Sequence, residues 1–252
     1  MIDEPEIVTR LRAAGCVFAE EEAALLIAEG RPDLDRMVQR RVEGEPLEYV
    51  LGWASFAGIR VAIDPGVFVP RHRTELLVDE ALLLCLDDST VVDLCCGAGA
   101  IGAAMLHRMP RLALYAADVD PAAVATARRN IPPERVFQGD LFDALPGHLK
   151  GRIDVPAVNT PYVPSGEIAL MPPEARDHEH RVALDGGRDG LDVQRRVAAL
   201  AGEWLAPGGS LLVEASERQA PASAAIFEAV GFAARIVVDD DATVVIAQRL
   251  DS

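Results

Sequence analysis

The sequence predicts a doubly wound α/β fold, in which a mostly parallel sheet carries helices on both faces, and three observations lead to it. From Val91 onward, short apolar runs alternate with segments of helical period, the pattern of successive βαβ units. Val91 to Gly102, V-V-D-L-C-C-G-A-G-A-I-G, orders an apolar run, closely spaced glycines and an alanine-rich segment, as a strand, a tight turn and a helix N-terminus would. Asp93, Asp118 and Asp140 lie at or near the ends of three successive predicted strands, whose ends face one crevice in such a sheet.

Before that sheet, residues 4 to 43 have helical spacing in Ile7, Leu11 and Ala14, in Ala23, Leu26 and Ile27, and in Leu34, Met37, Val38 and Val42. Gly15, Gly30 with Pro32, and Gly44 with Pro46 divide them into two or three short helices. From Trp53 to Val69 the period changes to two around Ala57-Gly58, which predicts a β-hairpin connecting two domains. A helix follows over 76–86, then strands at 91–94 and 112–117, a helix opened by Pro121 and running to about Asn130, and short strands at 136–138 and 153–158. Pro156 is awkward in the last of these, because proline cannot donate to a ladder, so either pairing begins after it or a bulge is present. Residues 160 to 188 have no period and exceed an ordinary connection, which marks a functional loop. The chain then gives a helix over 191–205, a strand over 210–215, a helix over 220–230 and a terminal antiparallel hairpin turned at Asp239-Asp240-Asp241. The expected division is a helical substrate-recognition region at 1–52, a hairpin connector at 53–70 and a main domain at 71–252.

A chain of 252 residues, 50% of them hydrophobic, can bury one sizeable core and a small appended domain. Its net charge of -16 opposes a nucleic-acid polyanion, the Arg31 to Arg41 cluster being the one modest basic stretch. Cys16, Cys85, Cys95 and Cys96 lack metal-ligand spacing, and His178-x-His180 has no third ligand near it in sequence, so no metal is expected. The acidic start, M-I-D-E-P-E, is unlike a signal or transit peptide, and no apolar run is long enough for a bilayer, which points to a cytoplasmic protein.

Gly97 and Gly99 let the backbone turn sharply and approach a ligand, and Gly102 lets the helix pack close to the strand. Gly97 to Gly102 also satisfies the dinucleotide pattern G-x-G-x-x-G, with Asp118 at a suitable distance for a ribose acid. Asp93 tilts the choice, because a buried acid in the first strand needs a partner and S-adenosylmethionine brings a positive ammonium and sulfonium. Asp118 would then accept from the ribose hydroxyls, and Asp140 with the Leu141 N–H would read the adenine edge.

Asn159-Thr160-Pro161-Tyr162, at the end of the 153–158 strand, resembles the N-P-P-Y signature of methyltransferases acting on amide or exocyclic amine nitrogens. Such a nitrogen delocalises its lone pair and is a poor nucleophile. An Asn side-chain oxygen and the adjacent backbone carbonyl can accept its hydrogens and aim the lone pair, while Tyr162 packs against the planar group. Gly44-Glu45-Pro46-Leu47, Phe68 to Arg71 with Thr74-Glu75, the glycine loop, Asn159 to Tyr162, and Pro173-Glu174 through Arg181 and Leu184 to Gly187 together resemble the bacterial protein-(glutamine-N5) methyltransferases, which modify release factors or a ribosomal protein. The resemblance spans roughly residues 40 to 252.

It implies the class I S-adenosylmethionine-dependent methyltransferase fold, a seven-stranded sheet whose last strand is antiparallel. It implies cofactor contacts from Cys95, Cys96, Gly97, Ala98, Gly99, Asp118, Asp140, Leu141 and Asn159, beside the Asp93 read from charge. Asn159, Thr160, Pro161 and Tyr162 would hold the glutamine amide, with Asn159, Pro161 and Tyr162 carrying the chemistry. Thr160 stands where the family has its first proline, as in a side branch with a small residue there, and the helical region is shorter than in release-factor modifiers. The alternatives are an N6-adenine or small-molecule N-methyltransferase, a nicotinamide-dependent oxidoreductase, and a non-catalytic S-adenosylmethionine-binding module.

Overall fold

The computed structural model describes residues 2–250. Helices α1 (Glu4–Ala13), α2 (Ala19–Ala28), α3 (Leu34–Val42) and α4 (Leu47–Leu51) form first, α1 capped by Asp3, whose carboxylate accepts the Glu6 N–H at 3.0 Å. Their apolar faces meet in a core of their own, with Ile7, Leu11, Leu26, Met37, Val38 and Leu51 among its members. Strands β1 (Trp53–Phe56) and β2 (Ile59–Ala62) pair antiparallel across Ala57-Gly58, both of positive φ, as a two-residue hairpin turn requires. The hairpin's Phe56 and Val61 join the core of the main sheet, not that of the helices.

The main domain runs α5 (Glu75–Leu83), β3 (Thr90–Leu94), α6 (Ala100–Arg108), β4 (Ala113–Asp118), α7 (Pro121–Ala127), β5 (Val136–Gln138), β6 (Val155–Val158), α8 (Pro173–His178), α9 (Asp192–Trp204), β7 (Ser210–Glu214), α10 (Ala220–Glu228), β8 (Phe232–Asp239) and β9 (Ala242–Arg249). The seven strands lie in the order β5-β4-β3-β6-β7-β9-β8, and β9 alone runs against the rest, as the sequence predicts. Alternating residues supply the two faces: Val91, Leu114 and Ala116 pack under α5, α6 and α7, while Val92, Leu94 and Ala117 pack against α9 and α10. The order reverses between β3 and β6, and at such a switch point ligands bind outside the carboxyl ends of the strands.

Two helices end earlier than their apolar content suggests, α5 at Leu83 instead of Leu86 and α7 at Ala127 instead of Asn130. Asn130 leaves the helix because its side chain bonds elsewhere, accepting the Ala62 N–H and donating to the carbonyls of Ala62 and Ala98. Pro156 sits inside β6 opposite Val92, but pairing with β7 begins only at Ala157. The ladder on that side thus starts after the proline, where a missing N–H costs no bond.

Helix α6 is pressed against β3 through Gly102. A methyl group there would lie 2.8 Å from Ile131 Cδ1, 2.9 Å from Leu114 Cδ2 and 3.2 Å from the Asp93 carboxylate. Gly102→Val should therefore destabilise the chain by about 1–3 kcal/mol through overpacking. Urea unfolding reads this, and an unchanged midpoint would show that α6 can lift off the strand at no cost.

Candidate active site

The crevice opens where β3, β4 and β6 end, as a cavity of about 1180 Å³. After β3 the chain turns through Cys95, Gly97 and Gly99, all of positive φ, before α6 begins at Ala100. Cys95 to Ala98 line the cavity, and no protein atom lies within 4 Å of the point where a side chain on Gly97 would project. Burial pushes the thiols of Cys95 and Cys96 up, so both are protonated, inert lining. Gly99 is not on the wall: its α-carbon faces Ile131 and Ala127, and its freedom serves the turn.

Asp93 is also behind the wall. It is fully buried, with one carboxyl oxygen accepting the Gly102 N–H at 2.9 Å and the other without a hydrogen-bond partner among the described residues. Asp118, at the end of β4, does line the cavity; its two oxygens accept the N–H groups of Gly97 at 2.8 Å and Asp120 at 2.9 Å. Those bonds brace the glycine loop and the β4–α7 turn against each other, and each oxygen keeps acceptor capacity. Asp140 and Leu141 line the same side, Leu141 at φ 48, with Asp140 ion-paired to Arg196 of α9.

Across the cavity, Asn159 to Tyr162 leave the end of β6 and all four line it. The Asn159 side-chain amide donates to the buried Thr74 hydroxyl at 3.5 Å. The Tyr162 hydroxyl accepts from Arg73 Nη2 at 2.6 Å and donates to Glu214 Oε1 at 3.3 Å, and Arg73 Nε reaches the same oxygen at 3.4 Å. Burial, then the Glu214 charge, pushes the Tyr162 phenol up, with Arg73 opposing, so the hydroxyl keeps its proton.

The 160–188 segment straps over this cavity and includes α8. His180 Nδ1 meets Asp120 Oδ2 at 2.6 Å, and its ring covers Gly66, where a methyl group would collide at 2.4 Å. Glu179 is buried, pairs with Arg71 and accepts the Val69 N–H at 3.3 Å. Arg41 of α3 donates to Glu22 of α2 at 2.6 and 3.1 Å and also pairs with Glu174 of the strap at 2.7 Å. Arg31, Arg36 and Arg40, the remaining arginines of the predicted basic cluster, pair with Glu29, Asp33 and Glu45. That cluster is charge-matched within the described residues.

Arg73, Glu214 and Glu179 are the site residues that sequence reading missed, and Thr74 was quoted without a role. Each meets its partner from a distant part of the chain, and a lone acid such as Glu214 at a strand end carries no local signal.

The family model described as methyltransferase small domain matches residues 58–167. The release factor glutamine methyltransferase of Geobacter sulfurreducens is 38% identical over 200 residues, covering 78% of this chain and 69% of that protein. The 4-amino-L-phenylalanine/4-methylamino-L-phenylalanine methyltransferase of Streptomyces pristinaespiralis is 36% identical over 234 residues, covering 88% of this chain and 80% of that one. Among solved structures, a methyltransferase from Pyrococcus furiosus matches with a TM-score of 0.56 at 17% identity, covering 77% of this chain and 90% of that one, a likeness of fold.

The buried Asp93 carboxyl gives a pH signature. Burial pushes it from 3.8 up to about 8, the Gly102 N–H working the other way and the Asp118 charge adding to the rise. Between those values the folded chain holds a proton that the unfolded chain has released. The contribution of Asp93 is therefore complete below the unfolded value, falls by roughly 1.4 kcal/mol per pH unit as pH rises, and is gone above the folded one. Asp93→Asn should remove this fall, so the urea midpoint of the wild type drops relative to that of the variant from about pH 4 to about pH 8. Parallel curves would show that Asp93 is ionised throughout.

Proposed function

The chain belongs to the release factor glutamine methyltransferase family and has the class I S-adenosylmethionine-dependent methyltransferase fold, and on that footing we propose that it methylates the side-chain N5 of a glutamine in a peptide-chain release factor. The observation that carries this reading is the placement of Asn159 to Tyr162 on the same cavity as the glycine loop and Asp118, one strand apart across the switch point.

S-adenosylmethionine, the methyl donor of the family, supplies an electrophilic methyl carbon on a positively charged sulfur. The residues present suit it. Open space in front of Gly97 admits a ligand against bare backbone, Asp118 retains acceptor capacity for a ribose, and Asp140 with the Leu141 N–H lines the side suited to a base. Asp93, protonated and off the cavity wall, acts on the site by bracing the first turn of α6 through the Gly102 N–H.

At the other end, Asn159 Oδ1 and the Thr160 carbonyl would accept the two hydrogens of the acceptor amide, turning its lone pair toward the methyl carbon. The N–C bond would form as the S–C bond breaks, the sulfur leaving as the neutral thioether, and the cationic N-methylated nitrogen, a strong acid, would release its extra proton to solvent as the product departs, without a dedicated base. The Tyr162 ring and the strap exclude water from the reacting atoms. Residues 1–52 fit the role of a recognition region for the protein substrate, and residues 53–70 connect it to the catalytic domain at 71–252.

A second reading rests on the relative named for aromatic amines, the 4-amino-L-phenylalanine/4-methylamino-L-phenylalanine methyltransferase. A nitrogen conjugated to a ring has the same delocalised lone pair and hydrogens as an amide, and the same four residues can present it. The paired arginines at 31–41 give nucleic acid no comparable support.

Incubation with labelled S-adenosylmethionine and full-length release factor from the same cell should place one methyl group on a glutamine-bearing peptide. Asn159→Ala should lower that rate by about 10²-fold or more with cofactor binding retained. Labelling of 4-aminophenylalanine but not of release factor would replace the first reading by the second, and an undiminished rate in the variant would remove Asn159 from the chemistry.

A further inference from the structure

We propose that Arg73 and Thr74, consecutive residues at the entry to α5, are the positioning residues of the acceptor site, Thr74 anchoring the Asn159 side chain and Arg73 fixing the Tyr162 ring. The inference rests on the methyl-transfer reading and assigns work to two residues outside the N-T-P-Y stretch.

An asparagine side chain has a donor end and an acceptor end that are nearly identical in shape. Only the acceptor end can receive hydrogens from an NH2 group; the donor end would set N–H against N–H. Asn159 Nδ2 donates to Thr74 Oγ1 at 3.5 Å, and Thr74 is 3% exposed, so the donor end is engaged with the protein and Oδ1 is left for the cavity. A hydroxyl can donate as well as accept, so the work of Thr74 is to anchor the Asn159 side chain in place.

Tyr162 is held at both ends. Its backbone carbonyl accepts from Gln219 Nε2 at 3.0 Å, while its hydroxyl lies between Arg73 and Glu214. Arginine can only donate, so the phenol oxygen accepts from Arg73 and its proton points to Glu214. Glu214 is 3% exposed and its second carboxyl oxygen has no protein partner, so Arg73 is also the charge that makes this burial tolerable. The hydroxyl proton of Tyr162 is thereby turned away from the cavity. Hydrogen-bond acceptors remain where the acceptor nitrogen would sit, which selects for an NH2 group over an acceptor without hydrogens to give.

Thr74→Val keeps the shape and removes the oxygen; Thr74→Ser keeps the oxygen. On release factor, Thr74→Val should lower kcat by about 10- to 100-fold with the KM for S-adenosylmethionine unchanged, and Thr74→Ser should restore kcat to within a few-fold of wild type. The Arg73 arm is read without any acceptor. The chain has three tyrosines, and in protein carrying 13Cζ-tyrosine the Tyr162 resonance, identified as the one missing from Tyr162→Phe, should move in Glu214→Gln and move again, to a different position, in the charge-balanced pair Arg73→Gln with Glu214→Gln. It should stay in place in Thr74→Val. A Thr74→Val enzyme with wild-type kcat, a Thr74→Ser enzyme as slow as Thr74→Val, an unmoved Tyr162 resonance, or a resonance at the same position in Glu214→Gln and in the pair overturns the proposal. A wild-type chain that labels neither release factor nor 4-aminophenylalanine overturns the methyl-transfer reading, and the catalytic consequence of Thr74 with it, while the resonance still decides whether the Tyr162 clamp exists.

Discussion

The hydrogen bond from the Gly102 N–H to the buried carboxyl of Asp93 sets the geometry on which the cavity depends. It joins the end of β3 to the first turn of α6, and the loop between them must close over whatever distance that bond allows. A carboxyl group without water would be intolerable as an isolated charge, and here burial keeps it protonated up to about pH 8 while the helix N-terminus offers it a donor. The loop passes its constraint to Asp118, whose two oxygens hold Gly97 and Asp120, so the ends of β3 and β4 move as one body. A rigid donor side follows from three backbone N–H groups and two acids.

The acceptor side is built differently. Asn159 to Tyr162 emerge from β6 with little regular structure of their own, and are held by Arg73 and Thr74 just before α5, Glu214 at the end of β7 and Gln219 just before α10. Around the cavity charge is satisfied by compact sets: Arg73 with Glu214 and Arg71 with Glu179, and on the donor side Arg196 with Asp140. Each places a cation on the cavity wall in a chain whose net charge is -16, and each is matched locally, so the cavity is not a field of one sign.

Much of this could be read from the chain itself, and the division has a physical basis. The β3–loop–α6 unit is local: its strand, its glycines and its helix lie within about a dozen residues, and the conformations they need are stated by residue type. Asp118 was legible for the same reason, since it ends a strand whose length is set by its own apolar run. The partners of the acceptor side were not. Thr74 meets Asn159 across 85 residues, and Arg73 meets Glu214 across 141, separations at which an arginine or a glutamate in sequence looks like any solvated charge. Asp93 stands out in sequence as an acid in an apolar strand, but a strand-end acid does not say which face of the loop its carboxyl takes, and here it is buried behind the wall. Pro156 resisted for a related reason: whether a missing N–H matters depends on where the neighbouring strand starts to pair, and β7 supplies that information.

Arg41 ties the parts of the chain that these two sides leave apart. One guanidinium serves Glu22 within the helical layer and Glu174 on the strap, so the two carboxylates share a single countercharge. By reciprocity, whatever draws Glu174 away at the cavity mouth alters the electrostatic balance of the α2–α3 contact, and whatever loosens that contact alters the hold on the strap by the same free energy. The small helical layer is thus energetically audible at the cavity, although its apolar core is separate from that of the sheet.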